Sequence, residues 1–236
     1  MIARVSSMRS SHPADRRCNL GAAQWRRGRV AAAVLLILVV AEPANAQPTS
    51  TDPPPPRENR GIDVVKFLAG GLLGVGLHES GHLVFDELFD AQPHLKAVHF
   101  GPVPFFAIAH RGNLSPRREF TVSSAGFWTQ EGIDEWLLTR RPALRDERAW
   151  LTKGVLAFNV LNSIGYALVA FAEAGPPERD TRGMAASIHM TEPIIGAIVL
   201  APAILDSVRY LRRGSDWTAW ASRGVKVASV LLVIRR

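Results

Sequence analysis

His78-Glu79-Ser80-Gly81-His82 is the one cluster in the chain whose residue types and spacing describe a reaction. On a helix, positions i and i+4 share a face, so both imidazoles can reach one Zn²⁺ while Glu79, one position on, points at the zinc-activated water. Zinc would lower the pKa of that water towards ~7, and the Glu79 carboxylate would act as general base and later hand the proton to a leaving amine. This is the chemistry of a metal-dependent hydrolase. A catalytic zinc usually takes three protein groups and leaves one position for water, so a third ligand must come from elsewhere in the chain.

The flanks of the motif are unusual for a soluble enzyme. From Val64 to Leu77 the only charge is Lys66, and Leu83-Val84-Phe85 follows the second histidine. Ile62 to Phe89 as one helix would be about 42 Å long, enough to cross a bilayer's hydrocarbon core. Ionisable groups at membrane depth are tolerated mainly where they face a cavity or pair with something, which gives His78, Glu79 and His82 a functional reading. Gly70 and Gly74 form a G-x-x-x-G step that would let a second helix approach closely.

Residues 1–46 read as a signal peptide. Arg26, Arg27 and Arg29 precede the apolar run Val30 to Ala41, and Ala44-Asn45-Ala46 offers small residues for cleavage. This leader carries seven Arg against Asp15 and Glu42, so of the chain's net +7 only +2 remains on residues 47–236. Those positives are spread out, with no basic stripe interleaved with aromatics, and no nucleic acid partner is expected. Cys18 is the only cysteine, so a mature chain would have no disulfide and no thiol nucleophile. Residues 47–60, with Pro53 to Pro56, read as an extended tether, and 61–236 as one domain.

After the motif helix, Leu95 to Phe100 and Phe105 to His110 flank Gly101-Pro102-Val103-Pro104, which predicts a short β-hairpin. Glu119-Phe120-Thr121-Val122 reads as a further extended piece. His94, His99 and His110 are lone histidines in strands and loops, which usually are not ligands.

A helix with His78-Glu79-x-Gly81-His82, a hairpin with Phe100-Gly101-Pro102, and a segment running into Ser124-Ala125-Gly126 together resemble the site-2 protease class of intramembrane zinc metalloproteases. The likeness covers about residues 62–131. The class has an Ala-Gly-Pro-x-x-Asn motif where this chain has Phe127 and Gln130. Its Asn-Pro-x-x-Asp-Gly signature, the source of its third metal ligand, is echoed only by Asn159-Val160-Leu161-Asn162. The resemblance implies a zinc protease that cuts membrane-anchored proteins, with Gln130, Asn159 and Asn162 as substrate-positioning candidates. Asp180 lies beyond the spanning helix that follows Ala125-Gly126, similar to where the class places its aspartate, and is the implied third ligand. An aspartate capping a helix start would look the same.

Gly154 to Phe171 and Pro193 to Leu211 are also long enough to span a membrane, and Lys226 to Ile234 is a shorter apolar tail. Glu131, Asp134 and Glu135 make 120–139 amphipathic, re-entrant or interfacial rather than plainly spanning. Lys and Arg number nine in 91–153, two in 174–191 and five in 207–226. With the mature N-terminus outside, the positive-inside rule then has the motif helix enter the cytoplasm, Gly154 to Phe171 return, and Pro193 to Leu211 enter again. That topology puts Asp180 on the wrong side for His78 and makes Asp206 the runner-up ligand, unless the 174–191 loop folds into the membrane or 120–139 crosses it and inverts everything after.

The sequence therefore predicts a mainly α, polytopic membrane helix bundle with a small β-hairpin after the metal-motif helix, in a bacterial-type inner membrane. Its cofactor would be Zn²⁺ and its partners the lipid bilayer and a membrane protein substrate. Two other readings stand beside the intramembrane protease: a periplasmic or peripheral zinc peptidase, and a non-catalytic membrane protein with a structural metal site.

Overall fold

A computed structural model of the chain describes residues 60–100, 102–111, 113–212 and 216–234. The leader reading and all but the last residue of the tether reading lie outside these residues. The described part is mainly helical, with one two-stranded antiparallel sheet. In chain order the elements are α1 (Arg60–Leu88), β1 (His94–Phe100), β2 (Val103–Ala109), α2 (Pro116–Arg140), α3 (Trp150–Phe171), α4 (Asp180–Ile188), α5 (Glu192–Leu211) and α6 (Asp216–Ile234). The hairpin follows the motif helix as predicted, with Phe100 opposite Val103 across a two-residue connection.

Glu119 to Val122 is not extended. It forms the first turns of α2, where Pro116 opens the helix with its φ already helical and no N–H to leave unpaired. Burial of Phe120 and Val122 overrides the β preference of Thr121 and Val122. Nor is α2 peripheral. It lies against α1 from Gly81, which faces the Ala125 carbonyl and Thr129, to Leu77, which packs with Ile133 and Leu137. These pairings run in opposite senses, so α2 is antiparallel to α1.

α3 does not run opposite to α1, as the charge-based topology has it. Gly70 sits against Leu151 and Gly154, Gly74 against Phe158, and His78 against Tyr166, so α1 and α3 run the same way. The cause is α2, which carries the chain back along α1 before α3 begins. α5 then runs antiparallel to α3, with Gly196 against Ala167 and Ala170 at one end and Tyr210 packed against the Leu156 cluster at the other. α6 returns beside α5 and α2, with Ser222 bonded to Asp206 and Ser229 to Glu131.

α1, α3 and α5 are long and apolar enough to cross a membrane, and only 22%, 39% and 39% of their apolar windows is buried within the protein. Small residues explain how close the helices come. A Cβ at Gly70 would strike the Leu151 carbonyl oxygen, and one at Gly154 the Phe67 carbonyl oxygen. Among the described residues, Phe120 and Phe127 of α2, Met184 and Ile188 of α4 and Ile195 and Val199 of α5 form an apolar cluster.

Candidate metal centre

Three donor atoms converge where α1, α2 and α4 meet. His78 Nε2 lies 3.2 Å from His82 Nε2 and 3.2 Å from Asp180 Oδ2, and His82 Nε2 lies 3.4 Å from the same carboxylate oxygen. A tetrahedral ion with bonds of about 2.0–2.1 Å sets its ligand atoms roughly 3.3–3.4 Å apart, so this triangle is one face of such a tetrahedron. The group could hold a metal ion. His82 Nδ1 donates to the Val122 carbonyl oxygen at 2.8 Å; since a carbonyl only accepts, neutral His82 presents the Nε2 lone pair to Asp180 and His78. Lone pairs facing a carboxylate repel unless a metal ion or a proton lies between them.

Each ligand is positioned by a local device. His78 and His82 are one turn apart on α1 and buried. Gly126 on α2 gives them room, since a Cβ there would meet His82 Nε2 at 2.5 Å and His78 Nε2 at 2.6 Å. Phe127 sets its ring edge-on to His78 at 5.4 Å, and Tyr166 of α3, itself edge-on to Phe127 at 5.1 Å, stacks on His78 at 6.1 Å. Asp180 opens α4 directly after Arg179, whose guanidinium makes a two-pronged bridge to Glu192 of α5, 2.5 Å in each prong. Thr181 adds a third bond to Glu192, and Arg179 also holds the Gly175 and Pro176 carbonyls. The helix-capping role weighed for Asp180 does not occur: Arg179 is the N-cap residue, with no side-chain cap bond.

A cavity of about 580 Å³ opens beside the triad, lined among others by Glu79, Tyr166, Asn162, Val98 and Ile108. Glu79 is half-buried and faces this space with His82 and Asp180. The hairpin walls one side and is tied to the loop before Asp180 by Lys96, 2.5 Å from Glu178.

Of the three amide candidates, only Asn162 lines the cavity. Gln130 and Asn159 are each 1% exposed and lie behind it, so direct substrate contact is not open to them. Asp206 is far from the histidines in role: it is buried between Lys226 (2.8 Å) and Ser222 (2.7 Å). His94 and His99 lie in β1, and His110 bonds Glu119 rather than the centre. Sequence reasoning missed Tyr166 and Arg179. Tyr166 carried only the signal of rarity, as one of two tyrosines, and Arg179 carried none, since its partner is 13 residues away across a turn.

No protein-family model, curated protein or solved structure matches this chain.

Proposed function

We propose that this protein is an integral membrane zinc metalloprotease that hydrolyses peptide bonds of membrane-anchored proteins, as its resemblance to the site-2 protease class implies. The observation that carries the reading is the triangle of His78, His82 and Asp180 donor atoms, sized for a tetrahedral ion and open to a cavity that also holds Glu79. Zn²⁺ bound there would supply Lewis acidity and bring a water's pKa towards ~7. Two carboxylates outside the triad line the cavity; Glu178 is paired with Lys96, which leaves Glu79 to take the water's proton and deliver it to the leaving nitrogen. Tyr166 stacks on His78 and so holds that ring in place. The exposed apolar faces of α1, α3 and α5 favour lipid contact over the peripheral alternative, in which these helices would cover one another.

Metal analysis of the detergent-purified protein beside its variants tests the site. His78→Ala and Asp180→Asn are expected to lose bound zinc, whereas Asp206→Asn keeps it and instead unfolds more readily, because the buried Lys226 loses the nearer of its two carboxylate partners. Glu79→Gln is expected to retain zinc and lose nearly all peptide cleavage. Undiminished cleavage by that variant would overturn the enzyme reading and leave a structural metal site, and release of the protein by alkaline carbonate would leave the peripheral one.

A further inference from the structure

When water adds to a peptide carbonyl, negative charge gathers on the carbonyl oxygen, and a donor fixed beside that oxygen lowers the barrier. Gln130, which stands where the resembled class has its asparagine, cannot serve: it is 1% exposed and its amide is bonded to Asn159 behind the cavity. Four of the cavity's side chains are able to donate, namely His82, Asn162, Tyr166 and Arg179. Three of them are already engaged. His82 gives its Nδ1–H to the Val122 carbonyl oxygen and turns Nε2 to the triad, Arg179 holds Glu192 and the Gly175 and Pro176 carbonyls, and the Asn162 amide is bonded to Gln130. Tyr166 remains.

Its ring stacks on His78 at 6.1 Å and stands edge-on to Phe127 at 5.1 Å, so the side chain is held from two sides. Its hydroxyl neighbours both the Asp180 and the Glu79 carboxylates and is turned towards Asp180. A hydroxyl proton rotates about the C–O bond to suit the acceptor present, so this donor can pass from Asp180 to a substrate oxygen without moving a heavy atom.

We propose that Tyr166 is a catalytic residue whose O–H donates to the carbonyl oxygen of the scissile peptide bond as negative charge develops there. The proposal rests on the protease reading and adds to it the group that holds this charge. The water oxygen bonds to the carbonyl carbon, the π pair of C=O withdraws onto oxygen, and Glu79 takes one water proton. Tyr166 hydrogen-bonds the charged oxygen and keeps its own proton. When the pair returns to re-form C=O, the C–N bond breaks, its electrons stay on nitrogen, and Glu79 hands nitrogen the proton. A carboxylic acid and an amine result, with Tyr166 and Glu79 restored.

Tyr166→Phe in the full-length, zinc-loaded protein tests the proposal, because it removes one O–H and keeps the ring against His78. Cleavage of a fluorescein-labelled Leu-Ala heptapeptide in detergent is expected to fall about 10²–10³-fold in kcat, with KM little changed and zinc content intact. Binding distinguishes this from a role in positioning His78. A phosphinate analogue of the heptapeptide carries a tetrahedral, negatively charged centre, and Tyr166→Phe should weaken its binding about tenfold. The same substitution should leave the affinity of the parent peptide for the Glu79→Gln protein unchanged. A role confined to holding His78 would lower zinc affinity and leave the ratio of phosphinate to peptide affinity alone. If Tyr166→Phe does not fold, O-methyltyrosine in place of Tyr166 decides the matter, since it keeps the ring and the oxygen and removes only the proton; the same losses are expected. Undiminished kcat without the O–H, or phosphinate binding that is absent or indifferent to it, would overturn the proposal. Phosphinate binding that depends on Tyr166 in a protein that cleaves nothing would remove the protease and keep the donor, and cleavage indifferent to Tyr166 would do the reverse.

Discussion

His110 is held on both ring nitrogens by carboxylates. Its Nε2 lies 2.9 Å from Glu119 of α2, and its Nδ1 lies 3.6 Å from Asp86 of α1, one turn past His82. The Glu119 hydrogen bond raises the pKa of His110 above its ordinary value, against an opposing effect of burial and with added help from the charges of Glu119 and Asp86. A histidine whose folded pKa exceeds its unfolded pKa contributes stability that is fully present below about pH 6.5 and is lost as pH rises through the folded value. Thermal unfolding in detergent should therefore show a midpoint that falls from pH 6.5 upward, and His110→Gln should flatten that slope; equal slopes in the two proteins would exclude this latch. At this scale the sequence was legible where spacing carries the geometry, as for His78, Glu79 and His82. Asp180 was reachable only through likeness to a family. The bonds that join Asp134, Asn159, Gln130 and Asn162 were not legible, because these residues meet across 25 to 32 positions and no local pattern records it.

Gly70 and Gly71 are neighbours on α1 with opposite surroundings. A Cβ at Gly70 strikes the α3 backbone, and one at Gly71 meets nothing within 4 Å. Alanine in a helix ordinarily gains roughly 0.5–1 kcal/mol over glycine. Gly71→Ala should show that gain, while Gly70→Ala should lose about 1–3 kcal/mol from forced separation of α1 and α3. Thermal or denaturant unfolding of the two variants checks the sign, and a stabilised Gly70→Ala would mean that the helices are not in contact there. The G-x-x-x-G spacing announced this approach, and apolar runs announced α1, α3 and α5. The first turn of α2 was misread because Thr121 and Val122 favour strands locally, whereas their burial against α1 and α4 is a long-range fact. The direction of α3 agrees with the alternative in which 120–139 crosses rather than with the charge count, which passes over α2 because Glu131, Asp134 and Glu135 hide its passage along α1.

Across the whole molecule, the turn between α2 and α3 shares one end of the bundle with the start of α1, where Arg148 and Trp150 border the same groove as Arg60 and Asp63. The hairpin and the metal centre belong to the other end. If the protein spans a bilayer, Arg60→Cys and Ala143→Cys should react with a membrane-impermeant thiol reagent from one face and Leu95→Cys from the opposite face, each in a Cys18→Ser background. Labelling of Ala143→Cys and Leu95→Cys from the same face would contradict the shared direction of α1 and α3. The ion pairs of α2 also bear on how such a chain is made. Glu135 is bonded to Arg209, Arg223 and Lys226, which lie 74, 88 and 91 residues later, and Glu131 to Ser229, 98 residues later. If the protein spans a bilayer, α2 emerges during synthesis before the partners of its carboxylates, and its settling among the apolar helices is expected only once α5 and α6 have been translated. A chain that stops after Arg212 should leave Ala143→Cys on the same face as Leu95→Cys, with α2 never having crossed.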